Sequence, residues 1–254
     1  MAARSEKLTF TGSQGDELAG RLDLPDDEPR ATALFAHCFT CSKDVFAAAR
    51  IADGLTRHGL GVLRFDFTGL GSSEGEFANT TFSSNVDDLV AAADHLRTKL
   101  TAPAMLVGHS LGGAAVLAAA ARVPEAQAVC TIGAPDDPSH VEHLFAAARS
   151  EILEAGEAEV TLGGRTFCIR REFLEDVAAT RLGPAIAELR RALLVFHSPV
   201  DEIVGIDSAA RIYAAAKHPK SFVSLDDADH LLTRREDAAY VADVIAAWAS
   251  RYVA

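Results

Sequence analysis

Gly108-His109-Ser110-Leu111-Gly112 places a serine between two glycines, each two residues away. Before it, Ala104-Met105-Leu106-Val107 reads as an apolar strand, and the Ala-rich run after it reads as a helix. The five residues therefore match the Gly-x-Ser-x-Gly nucleophile elbow in its strand–turn–helix context. A turn this sharp forces the serine into a strained backbone conformation, and side chains two residues to either side would collide, which is why glycine is needed there. The hydroxyl is raised above the sheet at a helix N-terminus, whose positive end favours negative charge developing nearby.

A serine hydroxyl is a poor nucleophile at neutral pH and needs a base. Behind this elbow the partners follow in the order acid, then histidine. Of the nine histidines, that leaves His140, His143, His197, His218 and His230. His230 follows the last apolar strand, in Leu225-Asp226-Asp227-Ala228-Asp229-His230, and loops at the carboxyl ends of parallel strands are where such sheets place their sites. It is the expected base. Asp201, in the loop after Leu193–His197, is the expected acid, holding the imidazole in one tautomer. Asp136, at an earlier strand end, is its rival. Glu202 and Asp207 compete less well, and Asp226, Asp227 and Asp229 stand too near His230 in sequence to reach its ring from the correct side. An oxyanion needs two backbone donors. The amide of Leu111 is one, and that of Phe39, in the loop His37-Cys38-Phe39-Thr40-Cys41-Ser42, is the other.

The elements that must position these groups alternate between short apolar runs and helical patterns, as in a mostly parallel sheet covered on both faces. Residues 6–11 and 17–24 read as an antiparallel pair around the Gly12–Gly15 turn. Strands follow at Ala31–His37, Gly61–Phe65, Ala104–Gly108, Gln127–Gly133, Leu193–His197 and Ser221–Leu225, about eight in all. Helices fall at Val45–Arg57, 84–98, Gly112–Arg122 and Asp237–Tyr252. Val86, Leu89, Val90, Ala93 and Leu96 give the second of these an apolar face. Residues 136–190 break the alternation. They carry a helical piece (His140–Ala155), a hairpin across Gly163–Gly164 and a further helix (Phe173–Thr180). This block reads as a lid inserted in a single domain spanning 1–254, with Leu144, Phe145, Phe167 and Phe173 as an apolar wall.

The 254 residues suit one domain. A formal charge of −12, from 24 basic and 36 acidic side chains, argues against nucleic-acid and anionic-membrane partners. No charged-then-apolar leader opens the chain, and no apolar run approaches the roughly 20 residues that span a bilayer, so a cytoplasmic protein is expected. Cys38, Cys41, Cys130 and Cys168 read as reduced thiols. Cys38 and Cys41 nevertheless form a Cys-x-x-Cys pair that could be redox-active or bind metal, although no second pair with zinc-type spacing accompanies it. Gly69 and Gly71 lack the full Gly-x-Gly-x-x-Gly of a dinucleotide loop. No cofactor and no metal are expected.

With these residues in place the chain resembles the α/β-hydrolase superfamily, in its small esterase and serine-aminopeptidase-like branch. The resemblance covers nearly the whole chain. It rests on Gly-His-Ser-Leu-Gly-Gly at 108–113, on the Asp201 and His230 segments, and on Asp66-Phe67-Thr68-Gly69-Leu70-Gly71-Ser72-Ser73, which is similar to the family's Asp-x-x-Gly-x-Gly-x-Ser loop. One departure is Cys38, where the family usually has glycine after the histidine. The His-Cys-Phe-Thr-Cys-Ser-Lys-Asp loop further resembles that of bacterial fusions joining a hydrolase to an OsmC-like, hydroperoxide-reducing domain. Relative to those, a chain ending at Ala254 would be a stand-alone form or a truncation, and a link to such a redox domain is one expectation. The resemblance implies a carboxylesterase-like serine hydrolase working on a small acyl substrate through an acyl-enzyme. Thioester or aminoacyl hydrolysis, or a redox accessory role through Cys38 and Cys41, are the alternatives.

Overall fold

The computed structural model describes residues 4–253. In chain order the strands are β1 (Arg4–Thr11), β2 (Glu17–Leu24), β3 (Ala31–Ala36), β4 (Leu60–Phe65), β5 (Met105–His109), β6 (Ala128–Ile132), β7 (Glu157–Leu162), β8 (Arg165–Arg170), β9 (Ala192–His197) and β10 (Lys220–Ser224). The α-helices are α1 (Phe46–Arg57), α2 (Phe82–Lys99), α3 (Leu111–Ala119), α4 (Arg149–Ala155), α5 (Arg171–Ala179), α6 (Leu182–Ala187), α7 (Asp207–Ala215) and α8 (Arg235–Ala249). Eight strands form one sheet in the order β1-β2-β4-β3-β5-β6-β9-β10. β1–β2 and β2–β4 pair antiparallel, and the pairings from β4 to β10 are parallel. This is the α/β-hydrolase fold that the resemblance implied.

The central strands β3, β4, β5, β6 and β9 bury every residue. A sheet covered on both faces demands such continuous apolar runs. Successive side chains alternate between two cores. On β5, Leu106 joins the layer beneath α2 and α3, whereas Met105 and Val107 join the layer beneath α1 and α8. α2 starts at a capping box between Thr81 and Ser84.

Between β6 and β9 the chain forms a 3₁₀ stretch (Pro138–Ala148), α4, the β7–β8 hairpin, α5 and α6. The single helical piece expected over 140–155 is interrupted, because Phe145 takes a non-helical backbone (φ −134°) to bury its ring. Phe145, Phe167 and Phe173 are buried, whereas Leu144 faces outward and is no part of an apolar wall. Two helices carry no readable signal in the sequence. α6 contains Gly183 and Pro184, and α7 buries only Ser208, Ala209 and Ile212, too few positions to define a period. Among the described residues, no helix is long and apolar enough to cross a membrane.

Candidate active site

The elbow is built as its spacing requires. Ser110 has φ 55° and ψ −126°, a conformation that costs a non-glycine residue of order 1–3 kcal/mol. Its amide donates to the Ile132 carbonyl at 2.9 Å, tying the turn to β6. A Cβ on Gly108 would lie 2.2 Å from the Gly112 carbonyl oxygen, and one on Gly112 would lie 2.4 Å from the carbonyl oxygens of both Ala36 and His37. Glycine at 112 thus lets α3 approach the loop after β3.

Three side chains converge above the carboxyl ends of β5, β9 and β10. The Ser110 hydroxyl lies 2.9 Å from His230 Nε2, and His230 Nδ1 lies 2.7 Å from Asp201 Oδ2. Because a carboxylate only accepts, Nδ1–H donates and Nε2 is left to accept from the serine. The other oxygen of Asp201 accepts the amides of Ile203 and Val204, each at 2.9 Å. Burial works to raise the Asp201 carboxyl, but the hydrogen bonds from His230 and these amides outweigh it and hold it below its ordinary range. Asp201 is therefore ionised at neutral pH.

Two further histidines brace this chain. His109 Nε2–H donates to the backbone carbonyl of His230 at 2.7 Å. His197 Nε2–H donates to the Val204 carbonyl at 2.7 Å and stands 3.7 Å from Asp201 Oδ2. Burial lowers the pKa of both, that of His109 to about 4, so both are neutral. Gly133 (φ +54°) passes against the pair, where a Cβ would sit 3.2 Å from Asp201 Oδ2 and 3.3 Å from His230 Nδ1.

The loop after β3 brings Phe39 beside α3. Among the described residues, the amides of Phe39 and Leu111 donate no hydrogen bond within the chain. Cys38 and Cys41 are joined in a disulfide, which corrects the expectation of reduced thiols there. The turn at Phe39-Thr40 brings their Cα atoms to 5.3 Å, ordinary bridging distance. Cys130 and Cys168 are free. Downstream, the buried Asp66 carboxylate accepts the Lys43 amide (2.6 Å), Lys43 Nζ (2.7 Å) and the Ser72 amide (2.8 Å), so the Gly69–Gly71 segment cradles a carboxylate.

Ser110, Asp201 and His230 are thus brought together. Asp136 is not with them. It is held by Arg211, with Nε at 2.7 Å and Nη2 at 2.9 Å. Asp227 pairs with Arg234, and Asp229 accepts the amides of Leu231 and Thr233. His140 donates to the Ile203 carbonyl. His109, His197 and Gly133 are functional neighbours that sequence reasoning misses. For Gly133 the available signal is a glycine ending an apolar strand. For the two histidines it is their position at the ends of β5 and β9. Among the described residues, no cluster of three His, Cys, Asp or Glu side chains could hold a metal ion.

The family profile described as serine aminopeptidase, S33, matches residues 27–155. The crystal structure of the esterase domain from a Rhodothermus marinus protein is 51% identical, covers 99% of this chain and 100% of its own, and superposes with a TM-score of 0.81. Ferulic-acid-bound Est1E from Butyrivibrio proteoclasticus shares the fold at 20% identity, with a TM-score of 0.78 over 97% of this chain and 99% of its own. The monoacylglycerol lipase of Mycolicibacterium smegmatis is 29% identical over 145 residues, which is 55% of this chain and 49% of that protein. The chain belongs to the S33 serine aminopeptidase family of α/β hydrolases.

Proposed function

We propose that this S33-family protein is a serine esterase that cleaves small acyl esters through an acyl-enzyme intermediate. Ser110 Oγ, passing its proton to His230 Nε2, attacks the acyl carbonyl. The resulting oxyanion is held by the amides of Leu111 and Phe39. The imidazolium protonates the leaving alcohol, and a water deprotonated by His230 then releases the acid. Asp201 stays ionised, fixes the tautomer and stabilises the imidazolium. The cycle needs no cofactor.

The observation that carries this reading is the hydrogen-bond chain from Ser110 Oγ to His230 (2.9 Å) and on to Asp201 (2.7 Å). The 51% identity to a protein described as an esterase domain supports ester over amide cleavage. We further assign residues 138–187 as the cap of the acyl site. Phe39 packs at centroid distances of 5.5 Å from Phe173 and 6.4 Å from Phe145, so the cap closes over the oxyanion loop with aromatic rings. That wall suits short or medium acyl groups.

Hydrolysis of p-nitrophenyl acetate and butyrate by wild type and Ser110→Ala tests the assignment, beside a panel of thioesters and aminoacyl amides. Ester turnover in the wild type, with its loss in Ser110→Ala, is expected. Turnover that survives the substitution refutes it, and a preference for thioesters or amides moves the substrate class.

A further inference from the structure

The loop that carries Asp201, between β9 and α7, has little apolar anchorage. From Pro199 to Gly205 only Val204 is buried, while Val200 is 55% and Ile203 39% exposed. The carboxylate that orients His230 therefore stands on a segment fixed by hydrogen bonds. Asp201 Oδ1 accepts the amides of Ile203 and Val204, each at 2.9 Å. From the core, His197 Nε2–H holds the Val204 carbonyl at 2.7 Å. From the cap, His140 Nε2–H holds the Ile203 carbonyl at 2.8 Å.

The Ile203 carbonyl and the Val204 N–H belong to one planar peptide group. Its oxygen accepts from His140 and its nitrogen donates to Asp201 Oδ1, so each bond polarises the group in favour of the other. Turning the plane to break one breaks both. His140 lies in the first turn of the 3₁₀ stretch Pro138–Ala148, which opens the cap. The backbone behind its ring is tied down, because Asp137 accepts the Ser139 amide at 2.9 Å and His143 Nδ1–H donates to the His140 carbonyl. Asp136, just before this stretch, is clamped by Arg211 on α7. The root of the cap is thus fastened at two points, Ile203 and Arg211, to the segment that runs from Asp201 into α7.

We propose that His140 is a positioning residue that couples the seating of the cap to the aim of Asp201. The proposal rests on the serine-esterase reading and adds a link between cap and triad. With the cap seated, His140 holds the 203–204 peptide so that its N–H points at Asp201 Oδ1, leaving Oδ2 aimed at His230 Nδ1. With the cap displaced, the peptide is free to turn and the carboxylate loses a donor. The acid is then fully aligned only when the acyl site is covered.

The test is hydrolysis of p-nitrophenyl butyrate by wild type, His140→Leu and His140→Gln. Leucine removes the donor, and glutamine keeps an N–H at the reach of Nε2. His140→Leu should lower kcat roughly three- to tenfold, the rate equivalent of one hydrogen bond, at unchanged KM, and His140→Gln should restore most of it. His140→Phe keeps a ring against His143, whose centroid is 4.6 Å away, and removes only the donor, so it serves where leucine lowers Tm. The same substitutions in the Asp201→Asn background, where no carboxylate is left to aim, should cost less than about twofold further, whereas a ring that only stabilises the cap lowers kcat by the same factor in both backgrounds. Full kcat in His140→Leu and His140→Phe overturns the proposal. So does a loss carried by KM, a loss that glutamine does not relieve, or equal losses in the two backgrounds. The rate at which a fluorophosphonate probe labels Ser110 reads the same alignment without ester turnover, and equal rates in wild type and His140→Leu also overturn it. Turnover that survives in Ser110→Ala fails the esterase reading without any His140 variant, whereas turnover lost in Ser110→Ala but full in His140→Leu fails the coupling alone.

Discussion

His109 offers a quantitative handle on the brace behind the candidate base. Its imidazole is buried, donates from Nε2 to the His230 carbonyl, and leaves Nδ1 without a partner. Burial, and secondarily the charge of His230, lower its pKa from 6.5 to about 4. In the unfolded chain the ring titrates near 6.5. Between these values the unfolded state binds a proton that the native state refuses, so stability rises with pH across this window. The contribution is fully present above pH 6.5 and is lost as pH falls towards 4. At about 1.4 kcal/mol per pH unit across this window the whole loss is roughly 3 kcal/mol, most of it incurred between pH 7.5 and 4.5. His109→Gln keeps an amide N–H at the reach of Nε2 and cannot titrate. Urea unfolding of wild type and His109→Gln at both pH values reads the effect. At pH 7.5 the variant should be less stable by about 1 kcal/mol, the value of an ordinary hydrogen bond made less well, and by pH 4.5 it should be the more stable protein. His109→Leu, which leaves the His230 carbonyl unpaired, should also lower kcat at unchanged KM, with Gln restoring most of it. A stability gap that does not move with pH refutes the buried neutral imidazole, and full kcat in the leucine variant refutes the brace.

Asp201→Asn keeps the volume but reverses the tautomer preference of His230, so kcat on p-nitrophenyl butyrate should fall on the order of 10³–10⁴-fold with little change in KM, and a fall below tenfold would remove Asp201 as the orienting acid. Replacing Cys38 and Cys41 together with serine opens a four-residue loop, which in the chain-entropy description costs up to about 2 kcal/mol of stability. Because the Phe39 amide lies inside that loop, kcat and kcat/KM should drop together. Wild type treated with dithiothreitol should match the variant, and unchanged Tm and kcat in both would separate the disulfide from the oxyanion loop.

What could be read from sequence divides by the range of the interaction. The elbow is legible because its motif is local and Gly108 answers to Gly112, four residues on, although Gly112 itself answers to the distant carbonyls of Ala36 and His37; the order serine, acid, histidine follows from the order of β5, β9 and β10. Apolar runs such as Leu193–Val195 announce central strands because both faces of the sheet are covered. The brace is not legible. His109 meets a carbonyl 121 residues away, and Gly133 is constrained by Asp201 and His230, 68 and 97 residues downstream. No local pattern encodes such distances. The pairing of Cys38 with Cys41 is hidden for another reason. Cysteine usage across compartments says little about two cysteines three apart when the turn between them closes, and Thr40 closes it with φ +57°. The interruption at Phe145 is hidden because side-chain burial in the cap, rather than helix propensity, decides that residue's backbone.

The loop after β3 shows how the chain accommodates a side chain directly after His37, at Cys38. A glycine after the histidine leaves the oxyanion loop free to adopt its turn, whereas Cys38 restricts it and must be held in place. Three attachments do so. The disulfide closes the turn around Phe39. The buried Asp66 carboxylate takes both the amide and the ammonium of Lys43, two residues beyond Cys41. Arg64, itself paired to Asp23 at 2.7 Å, donates to the Lys43 carbonyl. Asp66 can reach this position only because Gly71 has no Cβ, which would lie 2.2 Å from its Oδ2. The Asp66–Gly71 stretch, distant in sequence from any reacting atom, therefore fixes the backbone that presents the Phe39 amide. On the proposed reading, an oxyanion donor held so firmly needs no reorganisation as charge develops.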